Sequence, residues 1–410
     1  MKPRRWFLLF CALAVAGAAA PERPLILLSL DGFRWDYCEK YPDETPTLRR
    51  LRAEGTTARS LIPVFPTNTF PNHYTIITGR YPAKHGIVNN DFFDPDLGKI
   101  FHYFQPAAVQ ESVWWGAEPI WVTAERAGLK TAVSFWVGSE AEIKGRRPTF
   151  WKRYDYSQPW ESRLEEIAGW LTRPAGERVS FLALYLEETN SAGHTHGPDD
   201  PATAAAVRLV DGRIAELLAR LHAAGIAPDL VVVSDHGMTA TSAERVVILD
   251  DYIDRDRVQL DADGSVVSLR PLDGDVEALH ARLTRVPRAR VYRAADLPAH
   301  FRLRDNPRIA PLWILPEEGW HVETRANFER LKKRYAARGY LGGDHGYDPA
   351  LPSMHGFFLA HGPSFARGVT LPAFENVNVY ALLCAVLGLT PAEHDGDAAV
   401  TRAALRSESR

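Results

Sequence analysis

Short, uninterrupted apolar runs alternate along this chain with stretches whose apolar positions recur at helical spacing. The runs Leu25–Leu30, Thr131–Trp136, Val179–Leu186, Leu230–Ser234 and Gly356–Ala360 lack the in–out alternation of a half-solvated strand. They predict strands buried on both faces. Between them, Thr47–Glu54, Glu118–Ala127, Glu161–Leu171, Ala202–Ala223 and Asn376–Leu387 predict helices. That alternation predicts an α/β fold, a mostly parallel sheet sandwiched by helices. Ligands of such sheets bind beyond the carboxyl ends of the strands. The residues that directly follow the runs are therefore the first candidates for chemistry.

One segment breaks the rhythm. Val246–Pro298 reads as strand, strand, helix, strand, and Leu312–Pro316 with Gly319–Val322 reads as a hairpin of the same region. The expected organisation is an α/β core over 21–245 and 341–400, interrupted by a small α+β insertion over 246–340.

The first 20 residues read differently again. Lys2, Arg4 and Arg5 precede the apolar stretch Trp6–Ala18, and A-G-A-A-A precedes Pro21. This is the charged start, short apolar run and small-residue cleavage site of a secretory signal, with cleavage expected near Ala20. The alternative, a membrane anchor, needs about 20 apolar residues. Periplasmic or secreted localisation follows, with no stable membrane span after cleavage. Cys11 would leave with the signal, and Cys38 and Cys384 would stay, free or paired. Removing Lys2, Arg4 and Arg5, with no acidic residue, takes the formal net charge from −3 to −6. A nucleic-acid-coating protein would carry a basic surface instead. The 410 residues, 46% hydrophobic and 24% charged, are otherwise ordinary for a globular protein. Oligomeric state leaves no mark in the sequence.

The candidate chemistry lies at the run ends. Asp31 follows the first run, Asn190 the third, and Asp235 and His236 the fourth; His194 and His345 sit in G-H-T-H-G and G-D-H-G. Thr69 lies in N-T-F-P-N-H, at a predicted helix start with Pro71 close behind. Taken alone, Thr69 is better read as a helix N-cap, and each Asp or His can be a turn or packed residue. Taken together they suit phosphoryl transfer, which needs a positioned nucleophile and charge stabilisation. A threonine hydroxyl needs a metal or a base to attack. Imidazole and carboxylate donors suit zinc, and two metals roughly 3.5–4 Å apart serve both the attacking and the leaving oxygen.

The segments L-L-S-L-D-G-F-R, T-F-P-N-H-Y-T-I-I-T-G-R-Y-P-A-K-H-G-I-V-N-N, L-Y-L-E-E-T-N-S-A-G-H-T-H-G-P, V-V-V-S-D-H-G-M, P-L-W-I-L-P-E-E-G-W and G-G-D-H-G-Y-D-P occur in that order. With them the chain resembles the nucleotide pyrophosphatase/phosphodiesterase family of the alkaline phosphatase superfamily, bacterial type, over nearly all of the mature sequence. The resemblance implies that Thr69 attacks phosphorus and forms a phospho-threonine. It implies one zinc on Asp31, Thr69, Asp235 and His236, and a second on position 190, His194 and His345. Asn90 would donate to a phosphate oxygen, and Phe70 and Tyr185 would stack on a nucleobase. His73 is read as packing on its own helix, and Arg34 as a neighbour of Asp31 without a role.

Asn190 departs from the family, which has aspartate there. Asparagine offers a carbonyl oxygen without the charge, so the second site is the weaker. Three readings stand at this point: a disabled variant, a natural member of lowered activity, and a pseudoenzyme that binds nucleotide without turnover. The substrates the resemblance implies are small nucleotide phosphodiesters or phosphoanhydrides. Choline-phosphate esters or lysophospholipids are the enzymatic alternative.

Overall fold

The computed structural model describes residues 23–174 and 176–406. The expected signal segment and Cys11 lie outside the described residues.

An eight-stranded sheet forms the centre. Its order is Val369–Leu371, Thr56–Ala58, Phe358–His361, Asp229–Val233, Leu25–Leu30, Val179–Leu186, Lys130–Ser134 and Phe150–Trp151. The five strands from Asp229–Val233 to Phe150–Trp151 pair parallel, whereas Phe358–His361 runs antiparallel to both its neighbours. The continuous apolar runs have a direct cause. Leu25 and Leu27 enter one apolar core, while Ile26, Leu28 and Leu30 enter another on the opposite face. The same division holds for Phe181 and Ala183 against Leu182, Leu184 and Leu186. Full burial of each such Leu, Ile or Phe side chain contributes about 1.5–3 kcal/mol before entropy is counted.

Helices cover both faces. Pro201–Ala223 lays Val207, Val210, Ile214, Leu217 and Leu221 on one core, and is N-capped by Asp200, which accepts from the Ala202 N–H. Ile120–Arg126, Val379–Val386 and Thr69–Thr78 close the other. Cys38 and Cys384 are free, buried thiols that belong to opposite cores, which separates them by the sheet.

Residues 246–323 build a four-stranded antiparallel sheet in the order Val258–Ala262, Val267–Pro271, Leu312–Pro316, Ala289–Arg293, over a core of its own that includes Leu269, Leu283, Leu312 and Ile314. The expected hairpin of Leu312–Pro316 with Gly319–Val322 does not form. Leu312–Pro316 pairs on both edges within this sheet, and His321–Glu323 pairs parallel with Val246–Ile248. Both edges of the first strand are occupied, so the second finds its partner elsewhere.

Candidate active site

The candidate residues converge at the carboxyl ends of the central strands. Asp31 directly follows Leu30, and its N–H donates to Leu186 O at 2.9 Å. Asp235 and His236 follow the end of the neighbouring strand by two and three residues. Gly32 turns the chain at φ 65°, and a Cβ there would lie 3.0 Å from the Asn190 Cα. Only glycine meets both conditions, and it lets the helix Glu188–His196 approach the strand end. That helix places Asn190 and His194 four residues apart on one side.

Thr69 is the first residue of the helix Thr69–Thr78, with Asn68 at its N-cap. The Phe70 N–H donates to Asn90 Oδ1 at 2.9 Å, which leaves the Asn90 amide NH2 as its donor end. Neighbouring Asn89 accepts from Asn68 Nδ2 at 2.7 Å. The Asn-Asn pair thus ties the loop to the start of the helix. Thr69 Oγ1 lies 3.3 Å from His236 Nε2. His236 Nε2 in turn lies 3.0 Å from Asp235 Oδ2 and 3.4 Å from Asp31 Oδ1.

Two groups of donors result, Asp31 with Asp235 and His236, and His194 with Asp344 and His345. The first group suits a dication. Asp31 Oδ1, Asp235 Oδ2 and Asn190 Oδ1 are buried and accept no well-aligned hydrogen bond; imidazole nitrogens alone approach the two carboxylate oxygens, His236 Nε2 both of them and His73 Nδ1 that of Asp235. A buried carboxylate oxygen without a well-aligned hydrogen bond is costly, so these atoms point to a cation. The histidines are oriented from behind: His236 Nδ1 bonds Gly237 O at 2.9 Å, His345 Nδ1 bonds Thr67 O at 2.9 Å, and His194 Nδ1 bonds Gly343 O at 3.0 Å. In each case Nε2 is the nitrogen left for a metal.

Protonation follows from the same geometry. Burial, then the charge of Asp235, pushes Asp31 up to about 7. Burial opposes the ionisation of Asp235, but His236 and His73 outweigh it and hold its carboxyl well below the usual range. Burial works against charge on His236 too, yet Asp235 and Asp31 lift it to about 9. For His345, burial and then His236 hold the imidazole far below its ordinary value.

Other expected residues are placed as follows. Phe70 packs among Phe101, Tyr103 and Trp115. Tyr185 stands edge-on to His73 and Tyr154, and its hydroxyl donates to Asp31 Oδ2. Arg34 turns away, onto Asp36 and Met238 O. His73 does bond its own helix, at Thr69 O 2.9 Å, as expected from packing. It also bridges Ser29 Oγ at 2.9 Å and Asp235 Oδ2 at 3.3 Å. Its position one turn after Thr69 was the available signal for that second contact. Asp344 and Tyr154 went unmarked, because nothing local distinguishes them from surface residues.

The chain is similar to known proteins over most of its length. Residues 25–348 match the family model described as type I phosphodiesterase / nucleotide pyrophosphatase. Human ectonucleotide pyrophosphatase/phosphodiesterase family member 5 is 35% identical over 378 residues, covering 92% of this chain and 76% of the relative. The bis(5'-adenosyl)-triphosphatase of Xenopus laevis is 34% identical over 388 residues, 94% and 82% of the two chains. A venom phosphodiesterase of Crotalus durissus collilineatus is 37% identical over 391 residues. There the match covers 92% of this chain but only 46% of the venom protein. The solved structure of human ectonucleotide pyrophosphatase/phosphodiesterase 5 superposes with a TM-score of 0.86 at 35% identity, covering 93% of this chain and all of that one. An inactive threonine-to-alanine form of the murine protein, in complex with AMP, gives the same TM-score at 34% identity.

Proposed function

This chain belongs to the type I phosphodiesterase / nucleotide pyrophosphatase family and is a phosphodiesterase of alkaline phosphatase-like fold; from that premise we propose that it cleaves small nucleotides at the α-phosphate through a phospho-threonine on Thr69. The observation that carries this reading is the contact of Thr69 Oγ1 with His236 Nε2 at 3.3 Å, beside buried carboxylate oxygens of Asp31 and Asp235 that accept no well-aligned hydrogen bond.

Asp31, Thr69, Asp235 and His236 would hold one zinc, and Asn190, His194 and His345 a second. When bound, the two dications supply Lewis-acid charge at the attacking and leaving oxygens. The chain's own residues do the rest. The helix that begins at Thr69 fixes the hydroxyl, and the positive end of its dipole favours an anion there. Asn90, locked by the Phe70 N–H, presents its amide to a non-bridging phosphate oxygen. In the first half-reaction the Thr69 Oγ–P bond forms, and the bond from phosphorus to pyrophosphate or another ester oxygen breaks. The phospho-threonine keeps the nucleoside as its ester. Water then cleaves the Oγ–P bond, releases nucleoside monophosphate and restores the hydroxyl.

Phe70 and Tyr185 are proposed to line the base position. The murine relative with AMP supports the nucleotide class. Among the described residues no helix is long and apolar enough to cross a membrane, and we propose export behind the N-terminal signal. We also propose that residues 246–340 are an insertion into a core of 21–245 and 341–400. The test is zinc-supplemented hydrolysis of a p-nitrophenyl nucleotide diester by the wild-type chain and Thr69→Ala. Turnover that depends on Thr69 supports the reading. Equal turnover by both sinks it, and a preference for p-nitrophenyl phosphocholine would move the substrate to choline-phosphate esters.

A further inference from the structure

The two metal positions differ in charge. Two carboxylates, Asp31 and Asp235, border the first. The second has only neutral donors, namely the Asn190 carbonyl oxygen and the imidazoles of His194 and His345. Neutral donors alone leave a buried dication's charge uncompensated, and the local charges decide such a site.

A carboxylate does stand beside it. Asp344, His194 and His345 offer donor atoms within 4.8 Å of one another. Asp344 Oδ1 accepts the His345 N–H at 2.8 Å and lies 3.6 Å from His194 Nδ1. Its Oδ2 lies 3.1 Å from His321 Nε2. Asp344 Oδ1 is taken by the His345 N–H and Oδ2 lies toward His321, so the carboxylate stands on the Nδ1 side of His194, behind the ring. Gly343 O orients the His194 ring at Nδ1, and Asp344 Oδ1 adds a carboxylate 3.6 Å from the same nitrogen, behind the face left for a metal.

His321 comes from the 246–340 segment and is itself fixed. Its Nδ1 bonds Tyr340 Oη at 2.7 Å, and that hydroxyl donates to Glu323 Oε1 at 2.8 Å. Burial disfavours a charged His321, but Asp344 and Glu323 on its two sides lift it to about 9.

We propose that Asp344 supplies the second metal position with the negative charge that Asn190 lacks, acting through His194 as a positioning residue, with His321 holding it in place. The inference rests on the two-metal reading above. It gives the 246–340 segment a part in the site that its own sheet does not explain.

The test is zinc stoichiometry and affinity of the mature chain, by competition with a chromophoric chelator, for wild type, Asp344→Asn, Asn190→Asp and the double variant. Wild type is expected to bind two zinc ions of unequal affinity. Asp344→Asn should keep the tighter ion, which also reports a folded site, and weaken the other about 10- to 100-fold. In the Asn190→Asp background the same substitution should cost less than about threefold, because a carboxylate is then present at 190. Equal losses in both backgrounds, or no loss in either, overturn the inference. If Asp344→Asn does not fold, Asp344→Glu decides: a weaker site kept within about threefold supports the inference, and a tenfold loss overturns it. Fewer than two zinc ions on Asn190→Asp overturns the two-metal reading itself.

Discussion

His236 and His345 stack face to face, with ring centroids 3.5 Å apart and planes at 17°. One belongs to each proposed metal position, so the two positions meet at this contact. Two imidazoles this close do not both carry charge. His236 is lifted to about 9 against its burial, chiefly by Asp235, while burial and His236 hold His345 far down.

A proton therefore occupies the metal-free cluster at His236 below about pH 9. Zinc must displace it, because only neutral imidazole is a ligand. Zinc affinity should rise with pH up to about 9, fall by up to tenfold per pH unit between about 9 and 7, and fall more steeply below about 7, where Asp31 also binds a proton. Calorimetry at pH 8 in buffers of different ionisation enthalpy should register about one proton released with the first zinc. Affinity flat between pH 7 and 9 would contradict this account of the cluster.

A carboxylate placed at 190 should tighten the second zinc. A unit charge at about 4 Å is worth ~1 kcal/mol under water-like screening and ~4 kcal/mol at an effective dielectric near 20. Asn190→Asp should thus bind the second ion at least about fivefold more tightly, with higher turnover at limiting zinc. Equal zinc affinity and equal turnover would mean that position 190 is not a ligand.

The two thiols should be silent in the native protein. Burial pushes both Cys38 and Cys384 up to about 12, and they lie in cores on opposite faces of the sheet. A thiol reagent at pH 8 should modify neither until the chain is denatured, and then both without reductant. Finding no thiol in the denatured, unreduced mature chain would reveal a disulfide.

His85 should make the fold acid-sensitive. It is fully buried and neutral. Its Nδ1 accepts from the Ile87 N–H at 3.1 Å and its Nε2 lies 3.0 Å from Thr75 Oγ1. Burial lowers it to about 3, well under its unfolded value. The unfolded chain then binds the extra proton, so this contribution is complete above about pH 6.5 and shrinks as pH falls toward 3. The loss approaches about 1.4 kcal/mol per pH unit. His85→Gln should be less stable at pH 8 but lose less between pH 6.5 and 4, by denaturant unfolding. Equal pH slopes would show that His85 titrates normally.

The central strands were legible because both faces are buried, so every position in Leu25–Leu30 or Val179–Leu186 had to be apolar. The edge strands Thr56–Ala58, Val369–Leu371 and Phe150–Trp151 were not. They are two or three residues long, and their pairing partners are set by the rest of the sheet. The positions of Asp31, Asp235 and His236 could be read because strand ends are where such folds bind ligands. The contacts of His73 with Asp235, of Tyr185 with Asp31, and of Asp344 with His321 could not. Each joins segments distant in sequence, and no local spacing encodes them. The mistaken hairpin at Leu312–Val322 has the same origin, since the true partner of His321–Glu323 is the distant Val246–Ile248.

The central claim is that Thr69 becomes covalently attached to phosphorus during turnover. The direct measurement is acid quench of the zinc-loaded chain during hydrolysis of a p-nitrophenyl nucleotide diester, followed by peptide mass spectrometry. The account predicts a nucleotidyl adduct on the peptide that contains Thr69, absent from Thr69→Ala. Rapid turnover with no adduct at any quench time, or with the adduct on another residue, would contradict it.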